Sequence, residues 1–180
     1  MAFPYSDPKD GYIAMPSEFI DTLSTVMFSY YLNNEEGMIM EEDRAFFFFD
    51  TSGVSGAIAS ALLKFKVSEV FGTMVHQVHI CSGCFGDSLD LADWDISMNL
   101  ISELNINSTG WKGVPVGASG INKGGWTDFR LRVKTPLPPN VELGCSIYSG
   151  NAIEANRAQL ILSMAGGETQ RIEGVSLGEF

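Results

Sequence analysis

The chain has 180 residues, of which 45% are hydrophobic and 18% are charged, so it contains enough apolar material to fold around a core. Its 11 Lys and Arg residues stand against 22 Asp and Glu residues, a net charge of −11. This balance argues against a nucleic acid as partner, because binding to phosphates requires clustered basic side chains.

The N-terminal segment shows no sign of export or membrane insertion. Residues 1–9 lack the basic stretch and the apolar run of a signal peptide. Apolar runs elsewhere are much shorter than the roughly 18 residues that span a bilayer. We therefore expect a soluble protein that has no standard signal peptide and does not bind a membrane.

Strand signals dominate the rest of the chain. Residues 17–31 suit either a short amphipathic helix or a strand, and their β-branched and aromatic side chains favour strand with at most one helical turn. Residues 59–67 alternate between apolar and polar side chains. Residues 129–133 do the same and place Arg130 and Arg132 on a face that we expect to meet solvent or an interface. Further strand candidates, separated by turns rich in Gly, Ser, Asn and Pro, are residues 44–49, 74–81, 142–148 and 158–164.

This succession of short strands predicts the fold class. We expect an all-β fold, a single antiparallel β-sandwich or jelly-roll-like domain with little helix. The domain should occupy residues 1–165 and begin with an N-terminal arm. Residues 166–180 are rich in Gly and Glu without a sustained period, which predicts a C-terminal tail beyond the sandwich.

Four potential metal ligands lie within nine residues: His76, His79, Cys81 and Cys84. On an extended strand His76 and His79 point to opposite faces, and Cys145 is the only other cysteine that could complete a four-ligand site. The spacing also permits a Cys81–Cys84 disulfide or redox pair, but no βαβ pattern accompanies it. We therefore favour ordinary strand histidines and free, partly buried cysteines in a reducing compartment.

A second candidate metal site is the acidic run at residues 87–95. Asp87, Asp90, Asp93 and Asp95 could supply oxygen ligands to calcium. The run lacks the glycine and the closing glutamate of a helix-loop-helix calcium loop. The pattern favours a solvated acidic loop, and we expect no cofactor.

No motif indicates catalysis. The sequence has no nucleophile elbow and no phosphate-binding glycine loop, and its two histidines lie on one predicted strand. We therefore expect a non-catalytic protein. Trp94, Trp111 and Trp126 could form a flat platform for sugar rings, although tryptophans occur more often in cores and subunit interfaces.

Segments between residues 40 and 165 match a family pattern in their order and spacing. RAFFFFDTSGV at residues 44–54 precedes IASALLKFKV at residues 58–67, and INKGGWTDFRLR follows at residues 121–132. Shorter matching segments are residues 88–95, 107–111, 146–149 and 159–162. Together these segments resemble the DNRLRE-type family of β-sandwich repeats.

The resemblance implies a jelly-roll-like fold without catalysis, as in phage structural proteins, bacterial surface proteins and carbohydrate-binding modules. A single copy without a signal peptide favours a virion protein assembled in the host cytoplasm. We expect a capsid decoration (cement) protein or a head or tail appendage, forming a homo-oligomer and binding other capsid or tail proteins. The alternative is a carbohydrate-binding surface module. Expected contacts with neighbouring subunits are Phe3, Tyr5, Arg171 and Phe180.

Overall fold

Antiparallel β-strands make up most of the molecule. The computed structural model describes residues 10–86 and 88–173. The described strands are β1 (Gly11–Met15), β2 (Phe19–Asp21), β3 (Val26–Asn33), β4 (Ile39–Asp50), β5 (Ile58–Phe71), β6 (Met74–Cys81), β7 (Asn99–Ile106), β8 (Gly110–Val116), β9 (Trp126–Val133), β10 (Glu142–Tyr148), β11 (Gln159–Met164) and β12 (Thr169–Glu173). Short 3-10 helices lie at Leu91–Asp95, Ala118–Gly120 and Glu154–Asn156. The prediction of an all-β antiparallel fold with little helix is confirmed.

The strands form one curled sheet. Hydrogen-bonded neighbours follow the order β12-β11-β5-β10-β3-β4-β9-β6-β7, with β1 joined to β4 and β2, and β8 joined to β5. The curl brings β5, β10 and β11 over β4, β9 and β6 around the main core. Phe47 on β4 and Phe65 on β5 meet there with ring centroids 5.7 Å apart. The two halves of the sheet therefore pack like the layers of a sandwich.

Both faces of β4 are buried at residues 46–49, which explains its run of four phenylalanines. Phe47 and Phe49 pack in the main core, whereas Phe46 and Phe48 pack against Phe85 in a second cluster. Phe85 belongs to the segment between β6 and β7, which covers this second face. A strand buried on both faces needs apolar residues at consecutive positions rather than at alternate ones.

Two predicted segments can be compared with the structure. Residues 17–31 contain no helix and contribute to β2 and β3, so the preferred interpretation as strand is confirmed. Thr169–Glu173 form β12, which pairs with β11, so the prediction of a tail is wrong for these residues. Their polar side chains suit a solvated edge strand, which a sequence pattern does not separate from a loop. Residues 174–180 lie outside the described residues, and within the described ones no helix has the length and apolar character needed to cross a bilayer.

Candidate functional site: an acidic aromatic groove

A groove lined by aromatic and acidic side chains crosses five strands. Phe71 on β5 and Tyr30 on β3 lie on either side of Gly144 on β10. Asp43 on β4 lies opposite Tyr30. Opposed residues of antiparallel strands share a face, so these four residues form one row. Adjoining positions complete the lining of a groove of about 290 Å³ with Tyr12, Phe28, Glu41 and Glu142.

Gly144 lets the aromatic walls approach each other. A Cβ at this position would lie 2.6 Å from Tyr30 Cα, which is too close for any side chain. Across the glycine, the rings of Tyr30 and Phe71 pack edge to face with centroids 5.8 Å apart. Tyr12 and Phe28 form a second edge-to-face pair at 5.2 Å. The groove thus has fixed aromatic walls.

Three carboxyl groups, those of Glu41, Asp43 and Glu142, also line the groove. Asp43 is 3% exposed, and its Oδ1 has no hydrogen-bond partner within the described part of the chain. Burial, together with the carboxylates of Glu41 and Glu42, raises the pKa of Asp43 to about 7. The Tyr30 hydroxyl donates a hydrogen bond to Glu142 at 3.0 Å. No Lys or Arg is among the described lining residues, so this negative charge has no cation in the groove.

Exposed apolar side chains lie near residues of the groove, either in space or along the chain. Phe19 on β2 is 50% exposed, and its ring centroid lies 6.0 Å from that of Tyr12. Ile39 and Met40 are 49% and 54% exposed and begin β4 directly before Glu41. We call Phe19, Ile39 and Met40 the apolar rim. An apolar border next to aromatic and charged groups is typical of binding surfaces.

The opposite face of the sheet carries two basic residues, Arg44 on β4 and Arg130 on β9, that hydrogen-bond to the segment between β6 and β7. Arg44 Nη1 donates to the carbonyl of Trp94 at 2.6 Å, and its Nε pairs with Glu42 at 2.8 Å. The guanidinium carbon of Arg44 lies 3.6 Å from the centroid of the Trp94 ring. Arg130 donates to the carbonyls of Trp94 and Ile96, both at 3.2 Å. The sequence predicted that Arg130 meets solvent or an interface. Arg130 is 6% exposed, so solvent is wrong for this residue, and both arginines hold the segment between β6 and β7 against the sheet.

The acidic run of that segment caps a 3-10 helix. The Asp90 side chain accepts a hydrogen bond from the amide of Ala92 at 2.7 Å, and Asp93 accepts one from the amide of Asp90 at 2.8 Å. Burial raises the pKa of Asp93 to about 6. Asp95 is exposed, and Asp87 lies outside the described residues. The described carboxylates of the run are not grouped at metal-ligand distances, and their contacts are those of a capping box.

The two histidines have separate surroundings. His76 is fully buried, with its Nε2 3.5 Å from the Sγ of Cys145. Burial lowers the pKa of His76 to about 4 and raises that of Cys145 to about 12. His79 lies opposite Arg130 in the sheet, and burial together with nearby arginines lowers its pKa to about 4. Neither histidine joins the predicted ligand cluster.

Cys81 and Cys84 form a disulfide, so the prediction of free cysteines is wrong for this pair, whereas Cys145 is free and buried. Asp128 pairs with Cys81 across β6 and β9, and its carboxylate lies within 4.8 Å of both sulfurs. Sequence reasoning missed Asp128 because only the strand register brings it there. In the disulfide form the sulfurs are not the thiolates that metals require.

The three tryptophans do not form one platform. Trp94 is buried under Arg44, and Trp126 is half-buried against the second cluster. Trp111 on β8 is 38% exposed, and Lys64 Nζ lies 4.9 Å from its ring centroid. The predicted sugar platform therefore lacks converging aromatic faces.

The predicted contacts with neighbouring subunits lie mostly at the chain ends. Arg171 is on the edge strand β12, where it pairs with Glu173 at 2.7 Å. Phe3, Tyr5 and Phe180 lie outside the described residues. The expectation for these four residues stays a prediction.

None of the groove residues was singled out from the sequence. They are spread along the chain from Tyr12 to Glu142, and strand register alone brings them together. One local signal is present, because residues 41–43 place acidic side chains directly before the apolar run at residues 45–49. A carboxylate buried in such a strand is costly, which could have marked Asp43 as a functional candidate.

Neither the comparison with protein-family models nor that with curated proteins yields a match. The resemblance to DNRLRE-type repeats therefore stays a prediction, and the function has to be argued from the groove.

Proposed function

We propose that the chain is a non-catalytic structural protein of a virion, a capsid decoration protein or a head or tail appendage, which adheres to neighbouring subunits. The observation that carries the proposal is the acidic aromatic groove with its apolar rim, because it combines aromatic and apolar side chains, which anchor protein interfaces, with charge that a partner can pair. The resemblance to DNRLRE-type repeats supports the virion context.

The pairing of Cys145 with His76 supports the non-catalytic part of the proposal. Cysteine and histidine at 3.5 Å have the composition of a nucleophile and its base. Both residues are 0% exposed, so a substrate does not reach them. The raised pKa of the thiol and the lowered pKa of the imidazole keep both groups neutral at pH 7. The pair is a part of the core.

Adhesion on a lattice requires only modest binding by each copy. Apolar contacts contribute roughly 25 cal/mol per Å² before the costs of ordering are subtracted. Many copies on one particle add avidity, since each bound neighbour holds the next site at high effective concentration. A small rim and one polar groove are sufficient for such a role.

The test is the position of the protein on particles from its source. Cryo-electron microscopy should show ordered copies with the apolar rim against a capsid or tail subunit. Met40→Glu should remove the protein from particles, while Leu100→Glu should leave it bound, because Leu100 is equally exposed, at 50%, but lies on the distant edge strand β7. A protein absent from every particle would overturn the proposal.

The alternative of a carbohydrate-binding module makes a different prediction. Its remaining exposed tryptophan is Trp111, and a sugar ring stacked there would be lost in Trp111→Ala. Glycan binding that disappears in this variant, with the protein still folded, would favour the alternative.

A further inference from the structure

The groove holds negative charge that the protein does not neutralise. Glu41, Asp43 and Glu142 converge on it from β4 and β10, with no basic residue among the described lining residues. Asp43 is buried and its Oδ1 lacks a hydrogen-bond partner in the described part of the chain. Desolvating a carboxylate without a partner costs free energy, so the site gains most from a cation that brings its own hydrogen-bond donors.

The walls of the groove specify the kind of cation. Tyr30 and Phe71 on one side, and Tyr12 and Phe28 on the other, provide aromatic surfaces in fixed orientation. Aromatic faces attract cations, and a planar guanidinium can stack on a ring while donating several hydrogen bonds to carboxylates. A volume of about 290 Å³ suits one long side chain rather than a larger ligand.

We propose that the groove binds the guanidinium group of an arginine side chain in a neighbouring polypeptide. The proposal deepens the proposed function and rests on it only in taking the occupant to be a protein. The guanidinium would lie between the aromatic pairs, with its N–H groups directed at Asp43 and Glu142. The apolar rim of Phe19, Ile39 and Met40 would contact the residues that flank the arginine.

Binding of this cation is coupled to a proton. The titratable groups around Asp43 are those of Glu41 and Glu42 on its own strand, Tyr30 on β3, Tyr12 on β1 and Glu142 on β10, and none of them is a cation. Arg44, the next residue of β4, is engaged on the opposite face. A bound guanidinium favours the ionised carboxylate, so binding near pH 7 releases a proton. The affinity should therefore rise by up to about tenfold from pH 6 to pH 8.

The experiment uses the full chain and a minimal probe, N-acetyl-arginine methylamide. Binding is followed by the amide chemical shift of Gly144, which lies between Tyr30 and Phe71 in the sheet. We expect saturable binding with a dissociation constant of about 1 mM, since one side chain supplies few contacts. The citrulline analogue, which has the same shape without the charge, should bind about tenfold more weakly. The lysine analogue should also bind more weakly than arginine.

Variants locate the binding site. Asp43→Asn and Glu142→Gln should each weaken arginine binding by about fivefold or more, and Asp43→Asn should also remove the pH dependence. Asp50→Asn makes the same change of net charge at the exposed end of β4 and should leave binding unchanged. Glu142 is exposed, so we expect Glu142→Gln to fold normally. This variant therefore still tests the site if Asp43→Asn misfolds.

Several results would overturn the inference. These are no binding of the arginine probe, equal binding of the citrulline analogue, tighter binding of the lysine analogue, or an equal loss in Asp50→Asn. A shift of Gly144 with a neutral methyl glycoside and not with arginine would assign the groove to sugars. If particle binding depends on Met40 but the arginine probe does not bind, the proposed function stands and the arginine site is wrong. If the probe binds but the protein is absent from particles, the arginine site stands and the proposed function is wrong.

Discussion

Asp43 and Arg44 are consecutive residues of β4, and their charged groups have opposite surroundings. Arg44 meets Glu42, the carbonyl of Trp94 and the face of its ring. Asp43 lies near other carboxylates and the aromatic walls of the groove, and its Oδ1 has no hydrogen-bond partner among the described residues. One strand thus has a closed face, where the protein satisfies its own charge, and an open face, where it does not.

The difference between the faces separates stability from binding. A buried charge that is paired inside the molecule serves the fold, and removing its partner leaves the other group uncompensated. A buried charge left unpaired costs stability, and a ligand of opposite charge recovers that cost on binding. On this reasoning Arg44 is a structural clamp for the segment between β6 and β7, and Asp43 belongs to the proposed binding site.

The largest change in the free energy of unfolding is expected for a substitution on the closed face. Arg44→Met keeps the aliphatic stem but removes the guanidinium, which leaves Glu42 buried without its cation and the Trp94 carbonyl without one of its donors. We expect the free energy of unfolding to fall by about 3 kcal/mol, measured by urea denaturation at pH 7.

The matched control is Arg171→Met. Arg171 also pairs with a glutamate, but its side chain is 48% exposed on the edge strand. Exposed ion pairs contribute little, so this variant should change the free energy of unfolding by less than about 0.5 kcal/mol. Equal effects of the two variants would show that burial of Arg44 does not make it a clamp.

On the open face we expect a substitution to raise the free energy of unfolding rather than to lower it. The pKa of Asp43 is raised to about 7, so the folded state binds its proton more tightly than the unfolded state does. This group therefore costs no stability below about pH 4 and costs most above pH 7. Asp43→Asn should raise the free energy of unfolding by about 2 kcal/mol at pH 8 and have little effect at pH 4. Asp50→Asn, at the exposed end of the same strand, should show no such gain, and a loss of stability in Asp43→Asn at pH 8 would contradict the assignment.

The closed and open faces also mark what the sequence could predict. The alternation in residues 59–67 and 129–133 correctly predicted β5 and β9, because each has one face in the core. The run at residues 46–49 gives no alternation, since both faces of β4 are buried. No local pattern in the sequence indicates that Arg130 lies under the segment between β6 and β7 rather than in solvent.

Long-range register explains the remaining misses. The groove unites Tyr12, Tyr30, Phe71 and Glu142, whose separation along the chain hides their proximity. The Cys81–Cys84 disulfide fits the spacing that the sequence shows, but spacing alone did not decide between a disulfide and free thiols. The strand at Thr169–Glu173 is recognisable only through its hydrogen bonds to β11.

A smaller effect tests the electrostatics of the closed face. His79 lies near Arg130, Arg132 and Arg44, and burial with these charges lowers its pKa to about 4, whereas the unfolded chain has a pKa near 6.5. Between these values the unfolded state binds more protons, so stability contributed by the neutral imidazole is lost as the pH falls. In His79→Gln this loss is absent, and the fall in the free energy of unfolding from pH 7 to pH 5 should be smaller than in the unmodified protein by about 1 kcal/mol, allowing for partial solvent screening. His76 is present in both proteins and cancels in the difference. If the free energy of unfolding depends on pH equally in the two proteins, His79 takes up its proton freely in the folded state. The face beside His79 would then be open to solvent, as the groove is.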